Sequence, residues 1–265
     1  MLHAAATGED FAYYADYAGD TGKLVRALAE GFAFQGEKMA YRGAPRGEPS
    51  AGLPPTAFIA FIQNHDQIGN RAFGERITTL APPAAVKAAA AIYLLGPQVP
   101  MLFMGEEWGA KEPFPFFCDF PGELADKVRE GRREEFARFP QFRDPATRDR
   151  IPDPCAAETF RSAKLDWRGP EDEPGREWLA WYRRILAVRR QEVVPLAGRI
   201  TAGGVATLQG ERCFEVVWAG TLRLAANLGE TARKAGETAG RRIWLEGSRD
   251  GESLAPWSVE WSILS

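Results

Sequence analysis

Residues 82–96 constrain the fold more than any other stretch of this chain. After Pro82 and Pro83, the run Ala84–Leu95 is apolar except for Lys87, and Gly96-Pro97 closes it. Proline opens a helix without removing a needed donor, and Gly-Pro ends one, so a helix over Ala84–Leu95 is predicted. A helix apolar nearly all round must be covered on most sides. Two further apolar runs flank it, Ala57–Ile62 and Val99–Met104. Strand, helix, strand with continuous apolar runs predicts one right-handed βαβ unit of a parallel sheet buried on both faces.

Two parallel strands cannot bury their faces or satisfy both edges alone. The chain is therefore expected to be the carboxyl-terminal part of a larger barrel protein. Met1 leading straight into an Ala-rich helical segment agrees with that expectation. Residues 1–40 look helical, with Leu24, Leu28 and Phe32 at helical spacing, and Arg42–Pro55 is a Gly- and Pro-rich loop. Residues 109–170 read as a long insertion rich in aromatics and prolines, carrying a charged helix over Leu124–Phe139. Over Arg176–Arg190, the residues Trp178, Trp181, Tyr182, Ile185, Leu186 and Val188 form one helical stripe. Beyond Pro195 the period becomes two: Phe214, Val216 and Trp218 alternate, as do Leu222, Leu224, Ala226 and Leu228. That predicts an antiparallel β domain of about six short strands.

Composition narrows the function classes. At 45% apolar and 26% charged residues, 265 residues suffice for a sizeable core in a soluble globular protein. A net charge of -3 and a pI near 5.7 give no electrostatic reason for a nucleic acid or an anionic membrane as partner. No run reaches the roughly 18 apolar residues of a membrane span, and the start does not read as a secretory signal. Cys118, Cys155 and Cys213 are an odd number, lie far apart in sequence and form no CxxC pair. Neither a zinc site nor a disulfide framework is expected, and a reducing, cytoplasmic location follows.

The chemistry concentrates where the first apolar run meets Gln63-Asn64-His65-Asp66-Gln67. A buried strand stopping at a carboxamide, an imidazole and a carboxylate is how α/β enzymes present reactive groups at the carboxyl end of a sheet. Taken alone, Asp66 is more often a loop or helix-capping residue, and His65 more often a structural imidazole. Glu106 and Glu107 offer an acid/base pair, although adjacent side chains commonly diverge and a structural role for at least one is favoured. Trp108, Phe114, Phe116, Phe117 and Phe120 are candidates for an aromatic stacking wall, with Trp108 first, but aromatic clusters are more often core. The charges from Arg129 to Glu135 read as a solvated helix face.

Asn64-His65-Asp66 at a strand end resembles the last catalytic motif of the α-amylase-type glycoside hydrolases, which are TIM-barrel enzymes. The longer string Gln63–Ile77, with Phe103-Met104-Gly105-Glu106-Glu107-Trp108-Gly109, resembles the maltooligosyltrehalose trehalohydrolases within that type. Gly47-Glu48-Pro49-Ser50, Leu53-Pro54-Pro55-Thr56, Arg129-Glu130-Gly131-Arg132-Arg133 and Lys164-Leu165-Asp166-Trp167 agree, so the likeness runs along essentially the whole chain.

The resemblance implies an α/β fold: the last two strands and helices of a partial TIM (β/α)8 barrel, followed by an antiparallel β-sandwich. Residues 57–62 and 99–104 would be the seventh and eighth strands and 176–190 the eighth helix. The barrel part would cover 1–194, with insertion 109–170, and the sandwich 195–265. The reaction implied is retaining hydrolysis of the α-1,4 bond beside a terminal trehalose unit, by a nucleophilic Asp after strand four and an acid Glu after strand five. Neither strand is in this chain. Asp66 matches the third acidic residue, which stabilises the transition state, and His65 a neighbouring sugar-binding imidazole. Gln67 and Arg71 lie where they could reach substrate. The implied partners are maltooligosyltrehalose or another α-glucan and the missing amino-terminal part of the barrel; no metal or organic cofactor is implied. A related α-glucan branching or debranching enzyme, and a non-catalytic glucan-binding module, stay open as alternatives.

Overall fold

The structure, a computed structural model, describes residues 1–137, 142 and 144–265. They form two compact units: Met1–Ile62 with Ala81–Met101 and Ala180–Ser265, and Gln63–Leu80 with Leu102–Leu179.

The first unit opens with helices Leu2–Thr7 and Thr21–Glu30. The second is capped by Asp20, whose carboxylate accepts the Lys23 N–H at 2.8 Å, which satisfies one orphan donor of the first turn. Leu24 is buried, but the helix ends at Glu30 and Phe32 lies beyond it, half exposed. Strands β1 (Lys38–Met39) and β2 (Ala44–Pro45) then make a small antiparallel hairpin.

The apolar helix is present as Pro83–Leu95, and Ala85, Val86 and Ala88 through Leu95 are all buried. Its flanking strands are much shorter than expected. Pro55–Ala57 is a 3-10 turn, and only β3 (Ile59–Ala60) and β4 (Val99–Pro100) pair, in parallel, Ile59 opposite Val99. Each has the other as its sole ladder partner among the described residues, and Pro100 brings no N–H to extend the ladder. Nor is the pair buried: Ile59 is 62% and Val99 46% exposed. Residues 102–104 are not strand. The described residues thus contain a two-stranded parallel pair rather than a barrel.

Arg189 secures the carboxyl end of the apolar helix. It follows Gly175–Val188, in a π-helical turn over Arg189–Val193. Its Nη1 donates to the carbonyls of Leu94 (2.8 Å) and Gly96 (2.6 Å), and its Nη2 to that of Gln98 (2.7 Å). The Leu94 carbonyl is one that a helix end leaves without a partner, and there a cation also meets the negative end of the dipole; the Gly96 and Gln98 carbonyls lie just beyond the helix. Arg189→Ala is expected to lower the unfolding free energy by about 2–3 kcal/mol, and Arg189→Lys by about half of that, in urea titrations. A loss below about 0.5 kcal/mol would mean that water replaces the guanidinium at no cost.

Eight strands, more than the six expected, make the β region: β5 (Val205–Gly210), β6 (Cys213–Trp218), β7 (Leu222–Asn227), β8 (Arg233–Lys234), β9 (Arg241–Glu246), β10 (Arg249–Asp250), β11 (Ser253–Leu254) and β12 (Ser258–Ile263). Five form an antiparallel sheet in the order β5-β6-β7-β12-β9, and three a small sheet in the order β10-β11-β8. One face of the large sheet carries Phe214, Val216, Trp218, Leu222, Leu224, Val259 and Trp261, all buried. Trp261 donates its indole N–H to the Ala91 carbonyl at 3.0 Å, joining this face to the apolar helix. On the opposite face, Cys213 and Ala225 pack with Ala235 and Leu254 from the small-sheet region. Covering on both sides explains why every residue of β7 is buried. Beside that cluster lies a charged one, with Glu260 fully buried near Arg223 and Arg249.

The second unit contains helices and loops, with no strand among its described residues. Its longest wholly internal helix is Gly122–Ala137, against an expected Leu124–Phe139; Phe139 lies outside the described residues. Trp178 of helix Gly175–Val188 lies in this unit, and from Ala180 onward that helix belongs to the first.

Candidate functional site

Asn64 stops the chain's extended run and starts a helix. Its backbone is extended (φ -148°, ψ 174°), and its Oδ1 accepts the Gln67 N–H at 2.7 Å, a side-chain N-cap. The short helix His65–Gly69 follows, so His65 and Asp66 fall in its first turn, both exposed. Gln67 is half buried, and its Oε1 is enclosed without a hydrogen-bond partner. Arg71, beyond the helix, donates from Nε to Glu75 at 3.3 Å. His65, Asp66, Gln67 and Arg71 are thereby gathered on one helical turn and its exit.

Two residues that the sequence did not point to as part of the site, Asn70 and Arg132, support Asp66. Asn70 donates from Nδ2 to Asp66 Oδ1 at 2.9 Å, and its own Oδ1 accepts from Arg132 Nη1 at 3.0 Å. Arg132 also donates from Nη2 to the Gly69 carbonyl at 2.7 Å, capping the motif helix with a cation. Its guanidinium lies over the rings of Phe116 (5.0 Å) and Phe136 (4.7 Å). The charged helix is therefore not a wholly solvated face: Arg132 points inward, with a side chain 14% exposed. The spacing of Asp66 and Asn70, one helical turn, was the available signal for the first link.

Beneath the motif is a buried polar floor. Gln63 accepts the Ile77 N–H at 3.1 Å and donates to Glu106 Oε2 at 3.1 Å, both side chains being closed to solvent. Arg76, 1% exposed, donates to the carbonyls of Glu112 (2.6 Å) and Met104 (2.7 Å) and lies over the Phe103 ring. Burial pushes its guanidinium below the usual range, against the pull of Glu112, Glu106 and Glu107. Glu106 is accordingly a buried structural carboxylate, as favoured for one of the Glu106–Glu107 pair.

Glycine at position 74 is dictated by contact. It has φ +65°, its carbonyl accepts the Phe114 N–H at 2.8 Å, and a Cβ there would lie 2.2 Å from the Pro115 nitrogen. From that anchor the aromatics run edge to face: Phe103–Phe114, Phe114–Phe117 and Phe117–Phe160, with centroids 5.2–5.6 Å apart. Trp108 is buried, tilted on Trp167 at 5.5 Å and crowded by Gly169. Trp167, 73% exposed, offers far more open ring surface.

Among the described residues no group of three His, Cys, Asp or Glu side chains could hold a metal ion. No helix among them is long and apolar enough to cross a membrane.

Residues 201–261 match a family model described as a domain of unknown function (DUF3459). Malto-oligosyltrehalose trehalohydrolase of Arthrobacter ramosus is 42% identical over 200 residues, 75% of this chain and 34% of that protein. The enzyme of that name from Deinococcus radiodurans is 38% identical over 257 residues, 92% of this chain and 42% of the relative. A solved structure from Salmonella typhimurium, provisionally named an alpha amylase, superimposes on all of this chain and 45% of its own, with TM-score 0.90 and 41% identity. The chain spans less than half the length of each of these relatives. It is a homologue of the malto-oligosyltrehalose trehalohydrolases.

Proposed function

We propose that the chain is the carboxyl-terminal part of a maltooligosyltrehalose trehalohydrolase. Its longer form would hydrolyse the α-1,4 bond next to a terminal trehalose unit, with retention, releasing trehalose and a maltooligosaccharide. The observation that carries this reading is 38% identity to such an enzyme over 257 residues, nearly the whole of this chain. On it, β3 and β4 would be the last two strands of a TIM barrel whose carboxyl-terminal part covers 1–194, and residues 195–265 a β-sandwich. A cytoplasmic setting goes with it.

In the proposed site Asp66 accepts hydrogen bonds from sugar hydroxyls that strengthen as the ring distorts toward an oxocarbenium ion. His65 binds sugar in the same subsite, and Gln67 and Arg71 stand beside it. The exposure of the His65 and Asp66 side chains supports that assignment. Trp108, being enclosed, would contribute by packing rather than by stacking on glucose.

The nucleophile and the general acid would lie outside these 265 residues. Purified 1–265 is accordingly expected to release no trehalose from maltooligosyltrehalose, measured by chromatography of the products. The longer gene product should release it. Trehalose from 1–265 alone would overturn the placement of the catalytic carboxylates, and branch transfer or linear glucan release by the longer protein would overturn the substrate assignment.

A further inference from the structure

Cys118 and Cys155, 37 residues apart in sequence, hold their sulfurs 3.6 Å apart. Neither is in a disulfide, and both are half buried. Backbone contacts fix the approach: the Cys118 N–H donates to the Pro154 carbonyl at 2.8 Å. On the other side, the Cys155 N–H donates to Asp153 Oδ1 at 2.9 Å, and Arg129 grips the same carboxylate through Nε at 2.9 and 2.8 Å. Thr159 adds a bond to the Asp153 carbonyl at 2.5 Å. A disulfide places its sulfurs about 2.0 Å apart, so these two must approach further for the bond to form. Cys213 is buried in β6 with Gln209 and the Lys234 carbonyl as its sulfur contacts, not a thiol.

We propose that Cys118 and Cys155 are a redox-modification site, closing to an intramolecular disulfide by exchange with a low-molecular-weight disulfide. One cysteine thiolate attacks a sulfur of the small disulfide, breaking its S–S bond and expelling one small thiolate, which takes up a proton. The second cysteine, losing its proton, attacks the protein sulfur of the mixed disulfide and expels the other small thiol. Two protein thiols are oxidised and one small disulfide is reduced to two thiols. Burial and the facing Cys155 thiol push the Cys118 thiol up to about 11, Asp153 adding to the rise and Arg129 opposing it. Closure therefore speeds up as pH rises from neutrality. The covalent link would close the segment carrying Arg132, the residue that holds Gly69 and Asn70 beside Asp66.

The test incubates the reduced chain with oxidised glutathione and follows intact mass, thiols titrated in denaturant and linked tryptic peptides. Expected are a loss of about 2 Da, a fall from three titratable thiols to one, and a Cys118–Cys155 peptide. That peptide should exceed any linked to Cys213 by about tenfold, an excess that vanishes when oxidation is run in denaturant. Cys213→Ser should close as before, and Cys118→Ser or Cys155→Ser should not. Three persistent thiols, stable double glutathione adducts or disulfide-linked dimers would each overturn the proposal, and wild-type masses alone decide this if a variant fails to fold.

Discussion

Glu260→Ala is expected to lower the unfolding free energy of this chain by about 3–5 kcal/mol, among the largest effects of any single substitution. Glu260 is 0% exposed, on the face of β12 opposite Trp261. Its carboxylate lies 3.4 Å from Arg223, 3.3 Å from Arg249 and 3.7 Å from Arg242. The Arg223 and Arg249 side chains are themselves only 3–4% exposed. Removing the carboxylate strands two guanidinium groups away from water and opens a cavity. Glu215 stays 2.6 Å from Arg223, which moderates the loss there, while Arg249 keeps the Gly236 carbonyl and Thr238. Glu260→Gln preserves the volume and the acceptor and should cost about 1–2 kcal/mol. Replacing Glu260, Arg223 and Arg249 together by apolar residues of similar volume should approach neutrality, because a buried ion cluster must first repay its own desolvation. Urea unfolding of the series checks the ordering. A triple variant as unstable as Glu260→Ala would sink the argument from stranded charge.

That cluster was hidden in the sequence for a definable reason. Along β12 the order Val259, Glu260, Trp261, Ser262 alternates apolar with polar, the signature of a strand with one wet face. The small sheet β10-β11-β8 belongs to the side where solvent was expected, and strands of two residues carry almost no periodic signal. The apolar helix Pro83–Leu95 was legible because burial on all sides leaves nothing but apolar residues to write. Strands Ala57–Ile62 and Val99–Met104 were over-read, since apolar composition marks what can be buried but pairing needs a neighbour. Arg132 was misread as solvated because a charge run hides its own periodicity. Ala125, Arg132 and Phe136 stand seven and then four residues apart, on one helical face, and all three point inward. The approach of Cys118 to Cys155 joins positions 37 residues apart in sequence, which no local pattern encodes.

On the proposed function, Asp66→Asn in the longer protein is expected to lower kcat for trehalose release by about 10²–10³-fold, roughly 2.7–4 kcal/mol of lost transition-state stabilisation. The change removes one charge and leaves shape and most hydrogen-bonding capacity in place. Asp66 is exposed, so folding should notice little: a first-turn carboxylate contributes only about 0.3–1 kcal/mol through the helix dipole. A fall in kcat with KM within about threefold marks an interaction made in the transition state, whereas a rise in KM alone marks uniform sugar binding. Asn70→Ala separates positioning from chemistry, since it deletes the 2.9 Å bond to Asp66 Oδ1 and frees one Arg132 donor. It should cost about tenfold in kcat by letting the carboxylate wander, and Asn70→Asp, which sets a like charge beside Asp66, should cost at least as much. If Asp66→Asn instead leaves kcat unchanged while Asn70→Ala unfolds the protein, then Asn64-His65-Asp66 is a helix start and no more, and the carboxylate that stabilises the transition state has to be sought elsewhere.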